Sequence, residues 1–130
     1  MDHQPRAGRV TLGRAECVDR LRSADLARVV VSVRCLPAAL PVRIEVPDPA
    51  RLVLTTTEEA VAAAARRGDV LSVQIDGLEP GGATWSVMAS GIARLAGPDA
   101  PSSQRLRDAV ARGATVAEIP LSVVVGERVA

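Results

Sequence analysis

The chain has no lysine, no phenylalanine and no tyrosine, and carries one tryptophan, one histidine and two cysteines among 130 residues. Each scarcity removes a class of function. With Trp85 as its lone aromatic residue, the protein offers no platform on which the bases of a single strand could stack. All sixteen basic residues are arginine and stand against fifteen acids, so no large field gathers a polyanion. A nucleic-acid partner is not expected. His3 lies in a polar opening stretch, which argues against a Ser-His-Asp or Cys-His centre built on it. One histidine and two distant cysteines, Cys17 and Cys35, make neither a zinc site nor a disulfide framework, and no metal is expected. Purely aliphatic runs such as VVV at 29–31 and 123–125 are strand-sized and far from a membrane span. The opening MDHQPRAGRV lacks the apolar stretch of a signal peptide, which sets the expectation of a cytoplasmic protein with no membrane partner.

What is present is aliphatic. Nearly half the residues are apolar (48%), enough for one core at this length. The expected organisation is a flexible arm at 1–10 followed by a single domain over 11–130. Ala, Val and Leu make up most of the apolar set, and a homodimer would add burial that so small-residued a chain lacks by itself.

Local patterns predict about six strands and three short helices. GRAECVDRLRSA, 13–24, places Cys17 and Leu21 on one helical side and its charges on the other. ARVVVSVR, 27–34, is a buried strand, and AALPVRIEV, 38–46, is its hairpin partner. Pro41 has no N–H for a ladder and favours an edge or a bulge. RLVLTT, 51–56, is a third strand. A helix at 58–67 follows, with Thr57 as its cap, Glu58 and Glu59 in its first turn, Arg66 and Arg67 in its last, and Gly68 after it. DVLSVQIDGLE, 69–79, alternates as a strand with one wet face. TWSVMASGIARLA, 84–96, is a long strand with a bend expected at Gly91. A helix at about 103–112, capped by Ser102 or Ser103, precedes a final strand at 115–129 interrupted by Pro120. Strands in succession with few helical crossovers predict a mainly β protein, a six-stranded antiparallel split β-barrel with short flanking α-helices.

No catalytic residue declares itself. Glu58 and Glu59 are helix neighbours that diverge, and Asp76 and Glu79 sit at a strand end, where solvated rim charges are the ordinary outcome. No P-loop or dinucleotide fingerprint is present. The junction LTTTEEAVAAAARRG, 54–68, is the exception, since a strand that ends in a helix start exposes backbone N–H groups suited to an anion.

The order of these segments resembles the split β-barrel flavoproteins related to pyridoxamine 5′-phosphate oxidase, in their short bacterial form. LGRAECVDRLRSADLARVVVSV looks like their opening helix and first strand, and LPAALPVRIEV like the second strand with its Pro41–Val42 step. RLVLTTTEEAVAAAARRGDVLSVQID is similar to their strand, helix and strand. TWSVMASGIARLAGPDA and IPLSVVVGERV resemble the long and closing strands. The resemblance covers about residues 11–129. It implies a homodimer binding flavin mononucleotide (FMN), with the phosphate held at Thr55, Thr56 and Thr57, and an oxidoreductase of unknown substrate whose flavin ring carries the redox chemistry.

The motif departs from the family at this corner. Thr55 stands where relatives commonly have Arg, Val61 where they commonly have Lys, and Ser90 where Arg is frequent. Charge-assisted hydrogen bonds contribute about 1.5–3 kcal/mol each, so two missing cations weaken a phosphate site by roughly 3–6 kcal/mol. The threonine hydroxyls, or Arg43, Arg51 and Arg66 from nearby elements, are the groups available to restore part of this. Trp85 reads as a core or interface anchor or as a wall of the flavin pocket, with Ser86 offering a hydroxyl beside it. The alternative to a flavoprotein is a non-enzymatic split-barrel dimer that has lost flavin binding. A deazaflavin needs the same phosphate site, and a haem would have only His3 as a ligand.

Overall fold

A computed structural model describes residues 8–130. His3 and most of the expected arm lie outside the described residues. Arg9–Thr11 form a strand, β1, paired antiparallel with the chain's final strand. The elements that follow are α1 (Arg14–Ser23), β2 (Leu26–Val33), β3 (Leu36–Asp48), β4 (Arg51–Thr56), α2 (Glu59–Arg67), β5 (Val70–Leu78), β6 (Thr84–Ile92), β7 (Arg94–Leu95), α3 (Gln104–Ala111), β8 (Thr115–Pro120) and β9 (Val123–Val129). The described residues are mainly β with three helices.

All nine strands belong to one antiparallel sheet in the order β1-β9-β6-β5-β2-β3-β4-β8-β7, which does not close. The expected six-stranded barrel is corrected accordingly. Three strands were not anticipated: β1, and the pieces created where 84–96 and 115–129 each break in two. The first break falls at Ala93, whose N–H still bonds the carbonyl of Asp69, the residue opposite it in the β5–β6 register. At Gly91, where a bend was expected, β6 keeps its pairing with β5 without a register shift. A Cβ there would lie 2.3 Å from the carbonyl oxygen of Pro120, so glycine lets β8 come close to β6. The second break follows Pro120, after which β9 pairs with β6 on the far side of the sheet. β8 and β9, consecutive in the chain, thus belong to opposite halves, and the sheet curls so that both halves share one core.

That core is aliphatic throughout. Leu21, Ile44, Leu52, Leu54, Leu71 and Ile119 are fully buried, each contributing about 1.5–3 kcal/mol relative to exposure. The alternation of β5 holds, with Leu71, Val73 and Ile75 inside. The α2 helix presents Val61, Ala62, Ala64 and Ala65 to the sheet, small side chains that let it sit close. Gly68, at φ +73°, ends it in the left-handed conformation that glycine adopts without strain. The β2–β3 hairpin turns through Arg34 and Cys35, both at positive φ, where glycine or asparagine is usual.

Pro41 lies in a strand with neighbours on both sides, yet its local position is an edge. It pairs with Arg28 of β2, while the ladder with β4 begins only at Arg43 opposite Thr55. The missing N–H therefore interrupts nothing. Past Thr56 the chain leaves the sheet for α2, and a gap opens beside β3. No helix among the described residues is long and apolar enough to cross a membrane.

Candidate functional site

The gap is a cleft of about 400 Å³, and its lining includes Pro41, Arg43, Thr55, Thr56, Thr57 and Arg112. Its floor follows from sheet register. Arg43 lies directly opposite Thr55, and Thr55 opposite Val116, so the three side chains share one face. Helix α3 covers that face. Leu106 is fully buried against Val53 and Val116, and the Ser103 hydroxyl caps the helix by accepting from the Leu106 N–H at 3.4 Å. The carboxylate of Glu45 holds the entry to α3, accepting from the N–H groups of Ser102 (2.7 Å) and Ser103 (3.0 Å) and from the Ser102 hydroxyl (3.0 Å). With its first turn pinned there, the helix brings its C-terminal end, with Ala109 and Arg112, over the cleft.

The electrostatics of the cleft are set by which carboxylates are already engaged. Glu45 is committed to the entry of α3. Asp25, on the cleft's other wall, forms an ion pair with Arg105, and Glu59 pairs with Arg66. Neither Arg43 nor Arg112 forms an ion pair among the described residues. Two guanidinium groups thus border a pocket walled by threonine hydroxyls. Thr55 and Thr56 are buried and Thr57 is exposed. Thr56 Oγ1 accepts from the Glu58 N–H at 2.9 Å, which makes Thr56, rather than the expected Thr57, the hydroxyl that organises the start of α2. Its own O–H remains available to donate.

The other expected cations lie elsewhere. Arg51 is held by Asp48 and by Glu118, and Arg66 is taken by Glu59. Arg94 also bonds Glu118, while Ser90 shares a hydrogen bond of 2.7 Å with Ser72 on the outer face of the sheet. Val61 is fully buried in the core and contributes only packing.

Trp85 and Ser86 are not brought to this cleft. Adjacent on β6, they point to opposite faces. Trp85 faces α1, with its ring against Gly77 so closely that a Cβ there would lie 2.5 Å away. The Arg20 guanidinium stacks on the ring, 4.6 Å from its centroid. Arg20 is in turn bonded by Glu16 (2.8 Å) and Glu79 (2.9 Å), and these carboxylates hold it still more firmly protonated. Trp85 so placed closes the core between α1 and the sheet. Ser86 lies across from Asp76 and Glu127 on the outer face.

Arg112 is the residue that sequence reasoning missed. It is separated from Thr55 by most of the second half of the chain, and its sequence context, the end of a helix, is where an arginine ordinarily complements the helix dipole. Only the docking of Leu106 shows where it goes.

The profile of the pyridoxamine 5′-phosphate oxidase family matches residues 13–125. The chain belongs to this family. Among curated proteins, none matches it. Among solved structures, the FAD binding protein from Mycobacterium smegmatis is similar at 20% identity over 94% of this chain and 99% of that one, with a TM-score of 0.69. A FAD-binding protein from Mesorhizobium loti is similar at 17% identity over 94% and 99%, with a TM-score of 0.73. The FAD and haem binding protein from Mycobacterium smegmatis gives 15% identity over 94% and 73%, with a TM-score of 0.67. At these identities the likeness establishes the fold of this pyridoxamine 5′-phosphate oxidase relative and leaves its ligand to be argued from its own residues.

Proposed function

We propose that this member of the pyridoxamine 5′-phosphate oxidase family is a homodimeric flavin-nucleotide-binding protein that takes FMN, with its phosphate in the cleft of Thr55, Thr56 and Thr57 and with Arg43 as the cationic partner. The observation that carries the reading is the register pair Arg43 and Thr55: a guanidinium with no carboxylate partner among the described residues lies beside hydroxyl donors at the corner where the family pattern locates the phosphate. A dianionic phosphate fits this donor set, which offers charge and several hydrogen bonds. A bound flavin would supply electron transfer at its ring system, and the protein's part is binding and orientation.

The outer sheet face supports the dimer. Val30, Val70, Met88, Ile92, Val123 and Val125 are exposed on β2, β5, β6 and β9, the kind of apolar patch that monomers seldom leave uncovered. The test is an absorption spectrum of the purified protein, followed by FMN titration monitored by flavin fluorescence and by mass in solution. Saturable quenching by a dimer is expected. A colourless protein that leaves FMN fluorescence untouched would overturn the reading and favour the second one, a dimer without flavin. The two exposed glutamates, Glu58 and Glu59, at the positive end of α2 are the observation on that side.

A further inference from the structure

We infer that Arg112 is a phosphate-binding residue, and that α3 replaces the cations missing from the strand-to-helix corner. This deepens the reading above and rests on it: the anion is gripped from the helix that covers the sheet, not from the turn into α2.

The geometry is built for this. The α3 helix is fixed at its far end by three hydrogen bonds to Glu45 and by the buried Leu106, so its C-terminal residue has a defined position over Thr55 and Arg43. The backbone N–H of Arg112 closes the helix onto Asp108 and Ala109, and Gly113, at φ +100°, turns the chain away immediately after. The Arg105–Asp25 ion pair ties the same helix to the wall on the β2 side. That pair also occupies the carboxylate that would otherwise compete for Arg112. Two arginines from separate elements, one on the floor and one overhanging it, can enclose a tetrahedral anion between forked donors. A position at a helix end accounts for an arginine there. It does not account for a cleft in which both guanidinium groups lack a carboxylate partner among the described residues while Asp25 and Glu45 are engaged elsewhere.

The test compares FMN with riboflavin, which shares the ring but lacks the phosphate, against wild type, Arg112→Ala, Arg112→Gln and Arg107→Ala. Arg107 sits on the same helix and controls for net charge; Arg112→Gln keeps the stem and the helix should truncation to alanine unfold it. The expected result is FMN affinity weakened about 10- to 100-fold in both Arg112 variants, riboflavin affinity within twofold of wild type, and Arg107→Ala unchanged. Equal FMN affinity in wild type and Arg112→Gln overturns the inference while leaving the flavin reading intact. So does a parallel loss of FMN and riboflavin. If wild type binds neither flavin, the flavin reading fails, and calorimetry with inorganic pyrophosphate decides the inference: binding that Arg112→Gln abolishes supports an anion site, and absence of binding to wild type overturns it.

Discussion

Two corners of this molecule hold arginine beside a distinctive partner, and they differ in one respect. At the Trp85 corner, Arg20 stacks on the ring and is bonded by Glu16 and Glu79, the latter also approached by Arg128. At the threonine cleft, Arg43 and Arg112 border hydroxyl groups with no carboxylate of their own, because Glu45, Asp25 and Glu59 are engaged elsewhere. A guanidinium whose charge is matched within the protein stabilises the fold. One left unmatched beside donors and space has capacity for a ligand. Residue type does not separate the two cases, and the accounting of partners does.

The largest effect should come from emptying the unmatched corner. The double variant Arg43→Ala/Arg112→Ala removes two charge-assisted partners of about 1.5–3 kcal/mol each, so FMN affinity should fall by roughly two to four powers of ten. Its melting temperature should stay near wild type, since no ion pair is lost. A large fall in melting temperature would show that these arginines are structural and would erase the contrast. Next is Gly77→Ala, which puts a methyl group into the Trp85 ring and should cost about 1–3 kcal/mol in urea denaturation with FMN affinity preserved. Loss of FMN affinity without loss of stability would mean that Trp85 belongs to the ligand site after all.

Arg20→Met keeps the stem and removes the stacked charge, and should destabilise by about 0.5–1 kcal/mol while leaving flavin titrations within twofold. The smallest effect concerns Cys17, buried on α1 near the Trp85 corner. Burial pushes its thiol pKa up, so the native state keeps its proton where the unfolded chain has lost it. Stability from this group should therefore be full below the ordinary thiol value of about 8.5, decline as pH rises above it, and level off past the folded value. Cys17→Ala should flatten that slope. A thiol reagent should modify exposed Cys35 at once and Cys17 only on unfolding; equal rates would contradict the burial.

The parts of the site that could be read in advance are those written in adjacent residues. TTTEE followed by an alanine-rich run and Gly68 announces a strand, a turn and a helix, because capping, dipole and glycine signals act within one or two turns. The Thr56 bond to the Glu58 N–H shows how local the signal is, and why the assignment to Thr57 missed by one residue. Strand interruptions were harder. Pro120 marked one, but nothing in the residues around Ala93 marks the other. Trp85 and Ser86 border a cleft of their own with Asp76 and Glu127, apart from the threonine corner, and only the sheet order shows that separation.

Local chemistry therefore decided the alternating strands, the alanine face of α2 and the anion-competent corner of the chain, since propensity and periodicity are properties of short windows. Whether that corner holds an unmatched charge was settled only by folding. The meeting of Arg43, Thr55 and Arg112 requires sheet register, the insertion of Leu106 and the diversion of Glu45 and Asp25 to other partners. Each of these joins residues far apart along the chain, and the sum of charges at a site exists only once those residues are in place.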